Sequence, residues 1–167
     1  MNAGEFDLLL AVWAQGHKSP FWNTEKLHRD LLSCKVSNTR GNVESEFLYR
    51  AYIPNSQQIR SLNYRGFFVI ETPSQMPLAS WSSSLEEAID FISAKEKWLI
   101  VKKPTHELNI FFALADSWKE TKELDRHHNI SWFNEVIVSM PDRLNVSEVD
   151  VVSTCRQLSY PAWQEVA

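Results

Sequence analysis

The sequence predicts an α+β fold in which helices come first and strands follow, and three observations support this. Apolar residues near the N-terminus recur with the period of a helix, which places Phe6, Leu10 and Trp13 on one face. From Glu46 onward, apolar and polar residues alternate with period two, as in half-buried strands. The chain has 167 residues, 44% of them apolar, which is sufficient for one packed core. We therefore expect a single domain over 1–167.

Two helices are predicted before the first strand, over about Glu5–Gln15 and Thr24–Cys34. The first strand, Phe47–Ile53, carries Arg50 on the same face as Leu48. A helix at Ser56–Leu62 follows, and a second helix begins after Ser84. Later strands are predicted at Phe67–Ile70, Leu78–Ser82, Trp98–Val101, Phe133–Met140 and Leu144–Val152. The apolar stretch Asn109–Trp118 fits either a helix or a strand. The last two strands are expected to pair with each other.

The helix that begins after Ser84 has the clearest local signals. Ser84 and Glu87 form the S-x-x-E pattern of a capping box. Leu85 and Ala88 then begin an apolar face, and Phe91 lies about 120° away from it. An aromatic side chain that points away from the core face is expected to line a cleft.

Charge, cysteine content and the N-terminal segment exclude several classes of protein. The net charge of −4 argues against broad electrostatic binding to nucleic acid or to an anionic membrane. Two cysteines, Cys34 and Cys155, fit neither a disulfide framework nor a zinc site. Glu5 and Asp7 stand where a signal peptide would be basic, and no apolar run is long enough to span a bilayer. We expect a cytoplasmic protein, in the producing or a host cell, with no membrane partner.

Three polar positions are candidates for chemistry, and each has a structural alternative. Arg50 lies mid-strand, where a charge must be paired or face a cleft; the alternative is an ion pair. Ser80 and Ser82 precede a helix that Ser83 and Ser84 can already cap, which leaves Ser80 and Ser82 unexplained; the alternative is a capping or turn role. Glu135 shares a strand face with apolar residues; the alternative is a charge that protects an edge strand.

Taken in chain order, these positions follow a known pattern. Leu48-Tyr49-Arg50 lies on an early strand, Ser80-Trp81-Ser82 lies on a strand before an amphipathic helix, and Glu135 lies on a late strand. This order resembles the Arg-Ser-Glu class of ADP-ribosyltransferases, which includes many bacterial toxins and phage enzymes. The resemblance covers about Ser45–Val152.

The resemblance implies a fold and a division of the chain. Residues 1–44 would form a helical leader, 45–152 an NAD-binding catalytic core built on a split mixed β-sheet, and 153–167 a C-terminal tail. The co-substrate would be NAD⁺, with no metal. The adjacent histidines His127 and His128 could suggest a metal site, but no carboxylate or cysteine cluster in the sequence completes a ligand set.

The resemblance also assigns roles to residues. The planar guanidinium of Arg50 would bind the pyrophosphate through two parallel hydrogen bonds to phosphate oxygens. Glu135 would hydrogen-bond a ribose hydroxyl and stabilise the positive charge that develops as nicotinamide leaves. Ser80 would fix the direction of Glu135, and Ser82 would help to bind the dinucleotide. Phe91, at the position of an aromatic that stacks on nicotinamide in this family, would do the same here.

The acceptor site departs from the most familiar pattern. Many relatives carry Glu or Gln two residues before the catalytic glutamate, and an acidic residue there accompanies arginine modification; here that residue is Phe133. Asn134 and His128 would also border the acceptor. An aromatic face can stack on a nucleobase. We therefore expect the acceptor to be an RNA or DNA base or a non-arginine protein side chain.

The sequence thus predicts a mono-ADP-ribosyltransferase that acts on a macromolecule. Such an enzyme fits a toxin, a defence protein or a phage enzyme, with an antitoxin or inhibitor protein as a further partner. Two alternatives remain open. One is a non-catalytic binding protein of the immunity or antitoxin kind, in which Arg50 and Glu135 are structural. The other is an NAD⁺ glycohydrolase, in which water replaces the acceptor.

Overall fold

The computed structural model describes residues 3–15, 24–34, 43–90, 98–114 and 134–152, and it confirms the α+β class. The helices and strands are α1 (Ala3–Gln15), α2 (Glu25–Ser33), β1 (Phe47–Tyr52), α3 (Ser56–Arg65), β2 (Phe67–Glu71), β3 (Leu78–Ser82), α4 (Leu85–Asp90), β4 (Leu99–Pro104), β5 (Asn109–Ala113), β6 (Glu135–Ser139), β7 (Arg143–Ser147) and β8 (Val151–Val152). Short 3-10 helices lie at Thr105–Glu107 and Glu148–Asp150. The ambiguous stretch Asn109–Trp118 is therefore a strand over Asn109–Ala113.

Several helix boundaries follow from local chemistry. Thr24 lies just before α2, and its hydroxyl accepts a hydrogen bond from the Leu27 N–H at 3.2 Å. Asn55 and Gln58 form a reciprocal capping box at the start of α3. The same helix ends at Gly66, whose φ of 79° lies in the left-handed region that glycine adopts without strain. Helix α3 therefore runs one turn further than the sequence pattern indicated.

The strands form a six-stranded sheet in the order β5-β6-β3-β1-β4-β8 and a two-stranded sheet of β2 and β7. Every strand pair among the described residues is antiparallel, so the mixed sheet that we expected is not found there. The expected pairing of the last two strands is also wrong. Both edges of β6 are occupied, by β3 and by β5, and β7 pairs with β2 instead.

The two central strands of the large sheet, β1 and β3, share little backbone pairing. Strand β1 pairs with β4 along its whole length, from Phe47↔Pro104 to Tyr52↔Leu99. In the part of the chain that the structure describes, β1 and β3 share one register pair, Tyr49↔Ser82. We call this junction the β1–β3 seam, and the candidate site lies beside it.

Both faces of the large sheet are covered. On one face, α1 and α2 pack against β3, β5 and β6 through Phe6, Leu10, Trp13, Leu27, Leu31, Leu78, Phe112 and Ile137. On the other, α3 and the β2–β7 sheet enclose Leu48, Ile59, Phe68, Trp81, Val101, Val136 and Val146. Because side chains alternate along a strand, Ser80 and Glu135 lie on the face covered by α1. Of the described helices, α1 is the longest at 13 residues, and none is long and apolar enough to cross a membrane.

Candidate active site

Ser80 and Glu135 lie on neighbouring strands and are joined by a hydrogen bond. Strands β3 and β6 pair in a register that sets Ser80 opposite Ile137 and Ser82 opposite Glu135. The Ser80 hydroxyl donates to Glu135 Oε1 across 55 positions of sequence. The predicted serine–glutamate contact is therefore present in the fold.

A third side chain joins this pair from α1. The Trp13 indole Nε1–H is shared between Ser80 Oγ at 3.0 Å and Glu135 Oε1 at 3.1 Å. The helical period predicted Trp13 on the apolar face of the first helix, where it does lie, but Trp13 was not among the predicted site residues. A signal was present, because a buried tryptophan usually needs an acceptor for its N–H.

The carboxyl group of Glu135 is buried, and its two oxygens differ in their surroundings. The residue is 3% exposed, and Oε2 has no hydrogen-bond partner among the described residues. Burial raises the pKa of Glu135 to about 7, since removal from water disfavours the charged form. The hydrogen bonds from Ser80 and Trp13 oppose this rise. The group therefore titrates near neutral pH, the range in which a catalytic acid or base is useful.

More distant charges also act on the Glu135 carboxyl. The carboxylate of Glu87 in α4 adds to the rise in the pKa of Glu135, whereas the guanidinium of Arg50 in β1 lowers it. Both contributions are smaller than those of burial and of the two hydrogen bonds. The site therefore combines one buried acid with one cation at some distance.

Arg50 is partly buried and reaches across the β1–β3 seam. Its Nη1 donates to the backbone carbonyl of Ser80 at 2.7 Å. Burial lowers the pKa of Arg50, and Tyr52 and Glu135 oppose that change; an arginine nevertheless stays charged in proteins. Within the described residues Arg50 forms no direct ion pair with an acid. The ion-pair alternative for Arg50 is therefore not what this part of the structure contains.

For Ser82 the structure shows the structural alternative, a role at the start of a helix. Its hydroxyl accepts a hydrogen bond from the Ser84 N–H at 3.0 Å, so Ser82 helps to begin α4. The expectation that Ser83 and Ser84 start this helix without Ser82 is wrong. Ser84 does accept from the Glu87 N–H at 3.3 Å, which is one half of the predicted capping box.

The Glu87 side chain does not complete that capping box. Its carboxylate accepts from the Asn134 backbone N–H at 3.1 Å and from Asn134 Nδ2 at 3.0 Å. Glu87 thus fixes the residue immediately before Glu135, at the start of β6. Asn134, predicted to meet the acceptor, lies next to the site but has its amide tied to α4.

The structure brings some of the predicted site residues together and does not describe others. Arg50 and Glu135 both contact Ser80, Arg50 at its backbone carbonyl and Glu135 at its hydroxyl, and Ser82 and Asn134 lie beside them. The remaining three predicted residues, Phe91, Phe133 and His128, lie outside the described residues.

Two other features bear on ligands. In the described ranges no group of three or more His, Cys, Asp or Glu side chains could hold a metal ion. A groove of about 400 Å³ lies between α2 and the loop before β3, lined by Glu25, Arg29, Leu32, Ser33, Ser74, Gln75 and Pro77. None of these lining residues belongs to the predicted site.

Comparison of the chain with family models, with curated proteins and with solved structures finds no match. The function proposed below is accordingly supported by the residues and their geometry alone.

Proposed function

We propose that this chain is a mono-ADP-ribosyltransferase that transfers ADP-ribose from NAD⁺ to a macromolecule, as a toxin, defence or phage enzyme. The observation that supports the proposal is the hydrogen bond between Ser80 and Glu135, a contact that the resemblance implies between residues 55 positions apart. Arg50, 30 positions before Ser80, adds a cation that donates to the Ser80 carbonyl. The short pairing at the β1–β3 seam agrees with the split sheet of that class.

The chemistry assigns the central role to the Glu135 carboxylate. In transfer, the bond between nicotinamide and the ribose C1′ breaks, and nicotinamide leaves with the electron pair. The acceptor forms the new bond to C1′ and gives up a proton. The sugar carries positive charge in the transition state, as in glycoside cleavage. A fixed carboxylate in a site shielded from water stabilises such charge more strongly than water does.

Arg50 would bind the phosphates of NAD⁺, which leads to a prediction for Arg50→Lys. Lysine keeps the charge but loses the planar fork that bonds two phosphate oxygens. We expect NAD⁺ affinity to fall about tenfold, the scale of one charge-assisted contact, with little change in melting temperature. Titration calorimetry measures the affinity, and Arg60→Lys on the exposed side of α3 is the matched control. Equal NAD⁺ affinity in the two variants would contradict the role of Arg50.

One observation favours a second candidate, a non-catalytic binding protein. A carboxyl group that is 3% exposed cannot touch a dinucleotide in this conformation. Transfer therefore requires part of the cover over Glu135 to withdraw when NAD⁺ binds, whereas a structural role requires no motion.

The test mixes the purified protein with NAD⁺, with and without a cell lysate. Labelled macromolecules that depend on the protein support transfer. Release of nicotinamide without lysate indicates hydrolysis, in which water is the acceptor. The absence of both reactions, while the protein stays folded, contradicts the proposal and favours the binding protein.

The acceptor is expected to be a nucleic-acid base or a non-arginine protein side chain. Phe133 offers an aromatic face, worth roughly 1–3 kcal/mol if a base stacks on it, whereas a carboxylate at that position would hold a guanidinium. We expect free arginine and its mimics to be poor acceptors. The measurement compares ADP-ribosylation of an arginine mimic, total protein, RNA and DNA at one enzyme concentration. Efficient modification of the mimic, lost in Phe133→Ala, would overturn this expectation.

A further inference from the structure

The Trp13 indole is placed to act on Glu135 and not only to fill space. It is 3% exposed, and its N–H is the one hydrogen-bond donor of the side chain. That donor points between Ser80 Oγ and Glu135 Oε1, at 3.0 and 3.1 Å. A packing role would be satisfied by any large apolar side chain, but this contact requires the N–H.

The hydrogen bonds of the Glu135 carboxyl group involve one of its two oxygens. Both hydrogen bonds that Glu135 accepts from described residues, from Trp13 and from Ser80, end on Oε1. Oε2 is buried and has no partner in that part of the chain. A carboxylate has about four acceptor sites, so Oε2 retains its capacity to accept from a ligand.

The indole is itself held in place by two helices and a strand. The α1 residues Phe6 and Leu10 belong to the same apolar cluster as Trp13. The His28 ring of α2 meets the indole edge-on, with 5.3 Å between ring centroids. His28 Nδ1 accepts from the Leu78 backbone N–H at 3.2 Å, two residues before Ser80 in β3. The position of the indole is thus linked to the strand that carries Ser80.

We propose that Trp13 is a positioning residue for Glu135: its N–H and the Ser80 hydroxyl hold Oε1, so that Oε2 is the oxygen that accepts the ribose hydroxyl of NAD⁺. The identity of the ligand at Oε2 rests on the proposed function; the hold on Oε1 does not. Trp13 acts through Glu135 and takes no part in bond breaking.

Loss of the indole N–H has a defined electrostatic consequence. A hydrogen bond to the charged form of an acid favours that form, so its removal raises the pKa of Glu135 further. Among the described residues, the other groups that act on Glu135 are Ser80 in β3, Glu87 in α4 and Arg50 in β1. None of these residues is replaced in Trp13→Phe, but Ser80 Oγ also loses the N–H that it accepts. The shift therefore reports the loss of the indole N–H at both Glu135 and Ser80.

The experiment follows the Glu135 carboxyl carbon by ¹³C NMR during a pH titration, in wild type, Trp13→Phe and Phe6→Leu, with assignment from Glu135→Gln. We expect a wild-type midpoint of about 7 and a midpoint about one pH unit higher in Trp13→Phe. Phe6→Leu, which loosens the packing of the same helix without removing the donor, is expected to keep the wild-type midpoint. In parallel, the rate of NAD⁺ turnover should fall at pH 7 in Trp13→Phe, while KM for NAD⁺ stays unchanged.

A second measurement needs no change at Trp13. In wild type the indole Nε1–H resonance is expected to shift with the Glu135 midpoint, and in Glu135→Gln this titration should vanish. Three results would each overturn the proposal that Trp13 positions Oε1. The Glu135 midpoint in Trp13→Phe could equal that of wild type, or Phe6→Leu could shift the midpoint as much as Trp13→Phe does. The indole Nε1–H resonance of wild type could also fail to change at the Glu135 midpoint. If the midpoint moves as expected but wild type consumes no NAD⁺, Trp13 does position Oε1, but the ribose of NAD⁺ is not the ligand of Oε2.

Discussion

Replacement of Glu135 by glutamine is expected to lower the rate of ADP-ribose transfer by roughly 10²-fold or more, the scale of losing one key electrostatic group. The donors around the side chain make this substitution particularly informative. Trp13 and Ser80 both donate toward Oε1, so the amide oxygen of glutamine must take that position. The NH₂ group then occupies the position of Oε2, where it presents a donor in place of the acceptor.

The measurement is kcat/KM for nicotinamide release and for acceptor labelling, at a pH above 7. Asp150→Asn is the matched control, because Asp150 is another carboxylate in a polar network, accepting from Lys103 at 2.8 Å at the far edge of the sheet. We expect that variant to lose stability and keep its activity. Near-normal transfer by Glu135→Gln would remove Glu135 from the reaction.

Glu135→Gln is also expected to change how stability depends on pH. The pKa of Glu135 is about 7 in the folded chain, compared with an ordinary value of 4.5. Between these values the folded state binds more protons than the unfolded state, so the favourable contribution of Glu135 is complete below about pH 4.5 and is lost as pH rises through 7. Glutamine does not titrate. Relative to wild type, the variant should therefore gain about 3 kcal/mol between the two limits.

Urea unfolding of both proteins at pH 5 and pH 8 measures about three quarters of this change, because pH 5 lies above the lower limit of 4.5. His28 has the opposite sign: burial lowers its pKa, so its contribution is present above the ordinary value and is lost as pH falls. His28 is present in both proteins, and its effect cancels in the difference. A constant difference between the two proteins from pH 5 to pH 8 would show that Glu135 titrates in the folded chain as it does in water.

The features that were predicted correctly from the sequence depend on residues that are close together in the chain. Period-two alternation placed Glu135 on the same strand face as Ile137, and the structure confirms that both meet the α1 layer. The bounds of β3 were also predicted correctly, as Leu78–Ser82. These features depend on neighbours in sequence, which a single sequence displays.

The failures involve partners that are distant in sequence. Trp13 lies 67 positions from Ser80 and 122 from Glu135, so no local pattern joins them. The partner of β7 depended on both edges of β6 being taken, which only the assembled sheet reveals. Glu87 matched a capping box, but a tertiary contact with Asn134 competes with the local one. In each case a long-range contact determined the outcome.

The β1–β3 seam has a mechanical consequence for the large sheet. Strands β5, β6 and β3 form one well-paired half, and β1, β4 and β8 form the other. Among the described residues, one register pair and the Arg50 hydrogen bond reach the backbone across the seam, and apolar side chains of both halves pack in one shared cluster. If a phosphate binds the guanidinium of Arg50, the Ser80 carbonyl loses this donor and the backbone connection between the halves weakens. Amide hydrogen exchange would register this weakening as faster exchange along the facing edges of β1 and β3, while the ladders on either side stay protected.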